Sequence, residues 1–212
     1  MKIDKRILTS VLQGSLPGWH AQKFMAPEVG DRYQVVADNH RPAAVMALIK
    51  KDEVGKDSII IIERAKHNPN DKHAGQLSFP GGKYEEEDGD MLTCALREVE
   101  EEIGIPSDSI EVLGPLTQLY VFASNFLVYP FVGYVNGNPS YIKQDSEVHS
   151  ILEVPLDIIL SQENKLKKDI SIPRGKLRNV PYYKVGEHVL WGATAMIMSE
   201  FEYVLSQSHD SK

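Results

Sequence analysis

The most informative part of the sequence is SFPGGK at residues 78–83, followed by REVEEEIGI at residues 97–105. The first stretch combines a proline with two glycines, which indicates a loop whose backbone can approach another group closely. The second stretch belongs to a helical pattern that begins near Gly89 and ends at Gly104, with Pro106 just beyond. A glycine-rich turn therefore leads into a helix whose last turns are crowded with acids.

The charge of the chain is concentrated in this region. The 212 residues carry 30 Asp and Glu against 23 Lys and Arg, for a net charge of −7. Residues 83–102 hold nine acids and two bases, and 2 − 9 = −7, so the rest of the chain is neutral. The overall balance gives no electrostatic reason to expect nucleic-acid binding.

The remaining composition is that of a globular protein. Hydrophobic residues make up 42% and charged residues 25% of the chain, enough to form a sizeable core. No apolar run is long enough to span a bilayer, and the first residues lack the pattern of a signal peptide. The single cysteine, Cys94, excludes an internal disulfide. We expect a cytoplasmic protein without a membrane partner.

Hydrophobic periodicity predicts alternating helices and strands along the chain. Asp4 is a candidate N-cap for a first helix, and Gly14 with Pro17 ends it. The patterns predict strands over 41–52, 57–65, 110–113, 116–122 and 126–134, a loop over 66–82, residues 147–156 leading into a short helix, two strands flanking 170–190, and a last helix over 193–205. The predicted fold class is α+β, an α/β/α sandwich with a mixed sheet packed between helices.

The acidic helix has an unusual arrangement of charge. At 100° per residue, Glu98, Glu101 and Glu102 share an arc of about 100°, beside an apolar stripe that must pack on the sheet. These carboxylates repel each other and lie at the negative end of the helix dipole. A bound Mg²⁺ or Mn²⁺, which prefers oxygen ligands, would relieve both penalties. The alternative is a solvated acidic face that Arg97 neutralises.

Residues 78–83 and 97–105 together resemble the Nudix box, G-x5-E-x7-R-E-U-x-E-E-x-G-U, where U is apolar. Residues 97–105 match every specified position of its second half. In the first half, counted from Gly82, Asp88 stands where the pattern has glutamate, and the spacing from Asp88 to Arg97 is one residue longer. The chain is similar to the Nudix hydrolases, which implies a Nudix-like mixed sheet packed between helices.

A second signature narrows the resemblance to the branch that resembles coenzyme A pyrophosphatases. Arg64 and Ala65 match its start and HAGQLSFPGG at 73–82 matches its end, with two more residues between them than the signature allows. The signature's second arginine falls on Asp71, so its basic role passes to Lys72 or is lost. RPAAV at 41–45 and LWGATA at 190–195 are further matches of the same kind.

The resemblance implies hydrolysis of the diphosphate linkage of coenzyme A or acyl-coenzyme A, dependent on Mg²⁺ or Mn²⁺. Broader Nudix activity on ADP-ribose, NADH or another nucleoside diphosphate derivative is one alternative, and a non-catalytic nucleotide-binding module is another. The partner is then a small nucleotide, and a homodimer is plausible.

The resemblance also implies site residues. The implied metal ligands are Glu98, Glu101, Glu102 and the carbonyl of Gly82, with Arg97 holding a glutamate and Glu147 as general base or extra ligand. The implied substrate-binding residues are Arg64, Lys72, Gly81 and Gly82. The expected organisation is an N-terminal helix and lead-in over 1–30, a Nudix domain over 31–206 and a polar tail over 207–212.

Overall fold

The computed structural model describes residues 2–27, 33–66, 73–173 and 175–210. The helices are α1 Lys5–Leu12, α2 Trp19–Gln22, α3 Met91–Ile103, α4 Leu156–Leu160 and α5 Gly192–Asp210. The strands are β1 Arg41–Lys51, β2 Asp57–Arg64, β3 Leu77–Ser78, β4 Gly81–Lys83, β5 Ile110–Pro115, β6 Leu119–Val121, β7 Phe126–Val135, β8 Val148–Pro155, β9 Lys165–Ile172, β10 Gly175–Val185 and β11 His188–Trp191.

The central sheet is mixed and opens at one end. β1 pairs with β7 in parallel, and β1 and β2 pair antiparallel over only part of their length, from Leu48↔Ile60 to Lys51↔Asp57. Beyond this point the two strands separate, and the short strands β4 and β3 pair with β1 and β2 respectively. β8 lies on the other edge of β2, and β9, β10 and β11 form a second, antiparallel sheet. The opening between β1 and β2 receives the SFPGG turn.

Two hydrophobic cores lie on opposite faces of the central sheet. On one face, α3 packs Cys94, Ala95 and Val99 against side chains of β1 and β2 such as Met46 and Ile62. The other face carries the larger core, to which α1, α4, α5 and the second sheet contribute. This layered arrangement is the α+β fold, with a mixed sheet between helices, that the sequence predicts.

Most predicted elements are confirmed, with adjusted ends. Asp4 caps α1 by accepting hydrogen bonds from the backbone amides of Arg6 and Ile7, and Leu8 and Leu12 bury the apolar face of this helix. Gly104 ends α3 in the left-handed conformation, with φ of 72°, as its position after the apolar stripe indicated. Within the described part of the chain, no helix is long and apolar enough to cross a membrane.

Three predicted segments differ from the structure. The sequence predicts a loop over 66–82, but this stretch contains β3 and the start of β4, because its backbone pairs with β2 and β1 where they separate. The region around 170–190 holds three strands and not two. The last helix extends to Asp210 and so includes residues 207–210 of the predicted polar tail. The predicted domain boundary at residue 30 lies outside the described residues.

Candidate active site

Three carboxylates meet where the C-terminal half of α3 faces the opening in the sheet. Glu98, Glu102 and Glu147 each offer an oxygen atom, and these oxygens all lie within 4.8 Å of one another. Glu98 and Glu102 are four residues apart and so share one side of α3. Glu147 comes from the segment just before β8. Three oxygen donors converging in this way match the ligand preference of a hard divalent cation.

Glu102 is the most enclosed member of this carboxylate cluster. Its side chain is only 1% exposed, and its Oε2 accepts a 2.8 Å hydrogen bond from the backbone amide of Gly81. Its Oε1 is buried and has no hydrogen-bond partner among the described residues. Leaving a buried carboxylate oxygen unpartnered is costly. This oxygen is therefore available to a ligand that the protein atoms do not supply.

The glycine-rich turn can approach the cluster so closely only because Gly81 and Gly82 have no side chains. A Cβ atom on Gly82 would lie 2.3 Å from Oε1 of Glu98, and a Cβ atom on Gly81 would lie 2.3 Å from the carbonyl oxygen of Ala44. Gly81 also has a φ of 149°, which favours glycine. The two glycines thus bring the backbone close to Glu98 and place the Gly81 amide on Glu102.

Backbone hydrogen bonds hold Glu147 beside the helix. The amide of Gln144 donates to the carbonyl of Glu102 at 3.0 Å, and the amide of Glu147 donates to the carbonyl of Gln144 at 3.0 Å. The carbonyl of Glu147 in turn accepts from the amide of Ala65 at 2.8 Å, just after β2. The free carbonyls at the end of α3 therefore anchor the segment that carries the third carboxylate.

Burial raises the pKa of two of the three carboxylates. Desolvation raises the pKa of Glu98, partly opposed by the charge of Arg97. Desolvation raises the pKa of Glu102 to about 8, opposed by the Gly81 amide and the charge of Arg64. The site thus disfavours its own negative charge, and a bound cation would reverse this effect.

Arg97 organises the outer side of the cluster. Its guanidinium donates to Oδ1 of Asp88 at 2.6 Å through Nε, and to Glu98 at 3.1 Å and Glu101 at 2.8 Å through Nη1. It also donates to the carbonyl of Lys83 at 3.0 Å. The Arg97 contacts lower the pKa of Asp88 to about 2. Arg97 therefore connects the glycine-rich turn to the acidic helix and orients the Glu98 carboxylate.

The predicted carboxylates and glycines fall into two groups. Glu98, Glu102, Glu147, Gly81 and Gly82 come together as the geometry above describes. Glu101 lies outside the carboxylate cluster and is more exposed, and its side chain pairs with Arg97. Its role as a metal ligand stays a prediction.

Two of the predicted substrate-binding residues are basic, Arg64 and Lys72. Arg64, at the end of β2, is close enough for its charge to lower the pKa of Glu102. Lys72 lies outside the described residues, so its predicted role in substrate binding stays a prediction.

Sequence reasoning missed two contributions to this site. In the sequence Asp88 is distinguished only by its offset from Gly82, yet it is buried and accepts hydrogen bonds from Arg97 through both carboxylate oxygens. Because Asp88 lies nine residues before Arg97, no local sequence pattern indicates that the two side chains form an ion pair. The second omission is the anchoring of Gln144 to α3, which links segments distant in sequence.

Comparison with known proteins is consistent with this geometry. The NUDIX domain family matches residues 40–174 of the chain. A Photorhabdus laumondii protein named as an uncharacterized Nudix hydrolase, NudL, is 36% identical over 166 residues, covering 78% of this chain and 85% of that protein. The Yersinia pestis protein of the same name is 36% identical over 163 residues, covering 76% and 78% respectively.

A solved structure supports the fold. The MutT/nudix family protein from Enterococcus faecalis aligns with a TM-score of 0.53 and 15% identity, over 97% of this chain and 76% of that one. At this identity the likeness concerns the fold alone. The family match and the two relatives show that the chain belongs to the Nudix hydrolase family.

Proposed function

We propose that the protein hydrolyses the diphosphate linkage of coenzyme A or an acyl derivative to 3′,5′-ADP and 4′-phosphopantetheine or its acyl form. The observation that carries the hydrolytic part is the cluster of Glu98, Glu102 and Glu147 beside Gly81 and Gly82. In the reaction, water adds to one phosphorus and the bridging P–O bond breaks, so both products are phosphomonoesters. Such a reaction needs charge neutralisation and a positioned water.

The carboxylate cluster fits a divalent metal. Its donor set consists of oxygen atoms, and the buried Oε1 of Glu102 has no partner in the part of the chain that the structure describes. Glu98 and Glu102 would hold Mg²⁺ or Mn²⁺, with Glu101 and the Gly82 carbonyl as further candidate ligands and Glu147 as either an extra ligand or the general base. When bound, the metal neutralises phosphoryl charge and lowers the pKa of a bound water.

The protein's own groups then divide the remaining work. Glu147 is the most exposed of the three carboxylates and is our candidate to accept the proton of the attacking water. Arg97 keeps the Glu98 carboxylate oriented. Arg64 and Lys72 supply positive charge for the substrate phosphates, and Gly81 and Gly82 are further candidate contacts to the substrate.

The choice of coenzyme A rests on sequence motifs outside the box. Arg64 with Ala65 and HAGQLSFPGG at 73–82 resemble the signature of the coenzyme A pyrophosphatase branch. The geometry of the carboxylate cluster serves any nucleoside diphosphate derivative equally well, because it acts on the diphosphate. Substrate identity therefore has to be tested directly.

A substrate panel tests the proposal. Purified protein is incubated with coenzyme A, acetyl-coenzyme A, ADP-ribose, NADH and a dinucleoside polyphosphate, each with Mg²⁺ and with Mn²⁺, and products are separated by chromatography. We expect 3′,5′-ADP from coenzyme A at the highest kcat/KM. Preferred cleavage of ADP-ribose or NADH would contradict coenzyme A as the substrate but would agree with hydrolysis of a diphosphate linkage. Binding without turnover of any compound would contradict the hydrolytic proposal itself.

A further inference from the structure

Two buried side-chain polar atoms have no hydrogen-bond partner in the part of the chain that the structure describes. One is Oε1 of Glu102, and the other is the hydroxyl oxygen, Oγ, of Ser78, the last residue of β3. Buried hydroxyl groups are usually hydrogen-bonded, because leaving one unpaired costs free energy. If the two atoms share a location, one ligand that the protein atoms do not supply can satisfy both.

The side chain of Ser78 lies on the face of the central sheet that α3 covers. Ser78 pairs directly with Ile62 on β2, and residues directly opposite each other in an antiparallel pair project to the same face. Ile62 packs in the core beneath α3. Leu77 and Phe79, on either side of Ser78 in the chain, pack in the core of the other face. Ser78 therefore faces the helix that carries Glu102.

The segments on both sides of Ser78 reach the Glu102 carboxylate. Three residues after Ser78, the amide of Gly81 donates to Oε2 of Glu102 at 2.8 Å. Two residues before Ser78, the carbonyl of Gln76 accepts from the amide of Arg64 at 3.0 Å, and the charge of Arg64 acts on the Glu102 carboxylate. Ser78 thus lies between two groups that act on Glu102, on the same face of the sheet.

We infer that the Ser78 hydroxyl binds a water molecule in the coordination shell of the cation that Glu102 holds. Mg²⁺ keeps several of its waters when carboxylates bind it, and a hydroxyl can donate to or accept from such a water. Oε1 of Glu102 and Oγ of Ser78 then both gain a partner at one site. Ser78 is a positioning residue, since it acts through a ligand of the cation. This inference rests on the proposed function, which supplies the cation.

The test measures metal affinity without turnover. Mn²⁺ is titrated into wild-type protein and Ser78→Ala, and the free ion is followed by electron paramagnetic resonance. We expect Ser78→Ala to raise the Kd for Mn²⁺ about tenfold, as for other groups that support a metal site without binding the metal. The unfolding temperature of metal-free Ser78→Ala should equal or exceed that of wild type, because the substitution removes an unpaired hydroxyl.

Ser199→Ala is the matched control, since it removes a buried hydroxyl of α5 that donates to the carbonyl of Ala21 at 2.8 Å. It should lower the unfolding temperature and leave the Kd for Mn²⁺ unchanged. An unchanged Kd in Ser78→Ala would overturn the inference and leave the proposed function intact. A lower unfolding temperature of metal-free Ser78→Ala would also overturn it, because the hydroxyl would then stabilise the fold. Failure of wild-type protein to bind Mn²⁺ would overturn the proposed metal site itself.

Discussion

Two glutamates are almost fully buried on helices of this protein, and their surroundings differ. Glu200 of α5 is 0% exposed, and its carboxylate accepts hydrogen bonds from the amide of Gly18, the side chain of Gln22 and the amide of Thr117. Glu102 of α3 is 1% exposed, yet among the described residues only one of its oxygens has a hydrogen-bond partner. Burial alone therefore does not distinguish a structural acid from a functional one.

The number of carboxylate oxygens that have a hydrogen-bond partner distinguishes the structural acid from the functional one. Glu200 joins the lead-in around α2 and the chain after β5 to the last helix, so its bonds stabilise the fold. Glu102 faces Glu98 and Glu147, and these neighbours add negative charge to a site where burial already disfavours it. A carboxylate in this state destabilises the metal-free protein and becomes favourable when a cation binds.

The largest expected effect comes from Glu102→Gln. This change keeps the shape of the side chain and an oxygen for the Gly81 amide, but it removes the charge that we propose holds the metal. We expect metal-dependent hydrolysis to fall at least about 100-fold, because metal stabilisation of the transition state amounts to several kcal/mol. Thermal unfolding should show a metal-free protein at least as stable as wild type.

Glu100→Gln is the matched control, since it makes the same change at an exposed position of the same helix. It should retain the wild-type rate. A Glu102→Gln protein that keeps the wild-type rate would remove Glu102 from the mechanism.

The opposite result is expected for Glu200→Gln. The substitution turns one acceptor into a donor that faces the donors of Gly18, Gln22 and Thr117. Unfolding in urea should show a loss of about 3 kcal/mol, since hydrogen bonds to a charged group are lost and buried donors stay unsatisfied. The kcat of the folded fraction should stay unchanged. A lower kcat with unchanged stability would mean that Glu200 belongs to the functional site.

Metal addition should stabilise the protein through the carboxylate cluster. A ligand that binds only the folded state at 100 times its Kd stabilises it by about 2.7 kcal/mol. We expect Mg²⁺ or Mn²⁺ to raise the unfolding temperature of wild type and of Glu200→Gln, and to leave that of Glu102→Gln unchanged. Chelation with EDTA should reverse the rise. An equal rise in all three proteins would place the metal elsewhere.

The sequence predicted much of the acidic helix because the signals there are local. The cap at Gly104, the apolar stripe and the adjacent acids of α3 are all visible within one short stretch. The strands β1 and β2 were equally clear, because their apolar runs flank a polar turn.

Contacts that join distant segments could not be predicted in this way. Glu200 binds Gly18 across 182 residues, and nothing in the local pattern around either residue indicates this pair. The pairing of β3 and β4 within the sheet depends on where β1 and β2 separate, which is a property of the whole sheet. For the same reason, the hydrogen bond from Gln144 to Glu102, which brings in Glu147, emerged only from the structure.

Asp88 is a third buried carboxylate, and its partner is the charged guanidinium of Arg97. Its side chain is 2% exposed and pairs with Arg97, which lowers its pKa to about 2 from an ordinary value of 3.8. Because the pKa is lower in the folded protein than in the unfolded chain, the ionised form stabilises the fold above pH 4. This stabilisation, about 2 kcal/mol, is lost as the pH falls from about 4 to about 2.

Asp88→Asn should therefore lower the free energy of unfolding by about 2 kcal/mol at pH 7, and the difference from wild type should narrow steadily below pH 4. Urea unfolding at several pH values measures both quantities. Asp90→Asn is a suitable control, because Asp90 is an exposed helix cap on the same segment. Its side-chain oxygen can still cap α3 as an amide, so its effect should be smaller. A difference for Asp88→Asn that does not change between pH 7 and pH 2 would show that the lost contribution is packing and not the ion pair with Arg97.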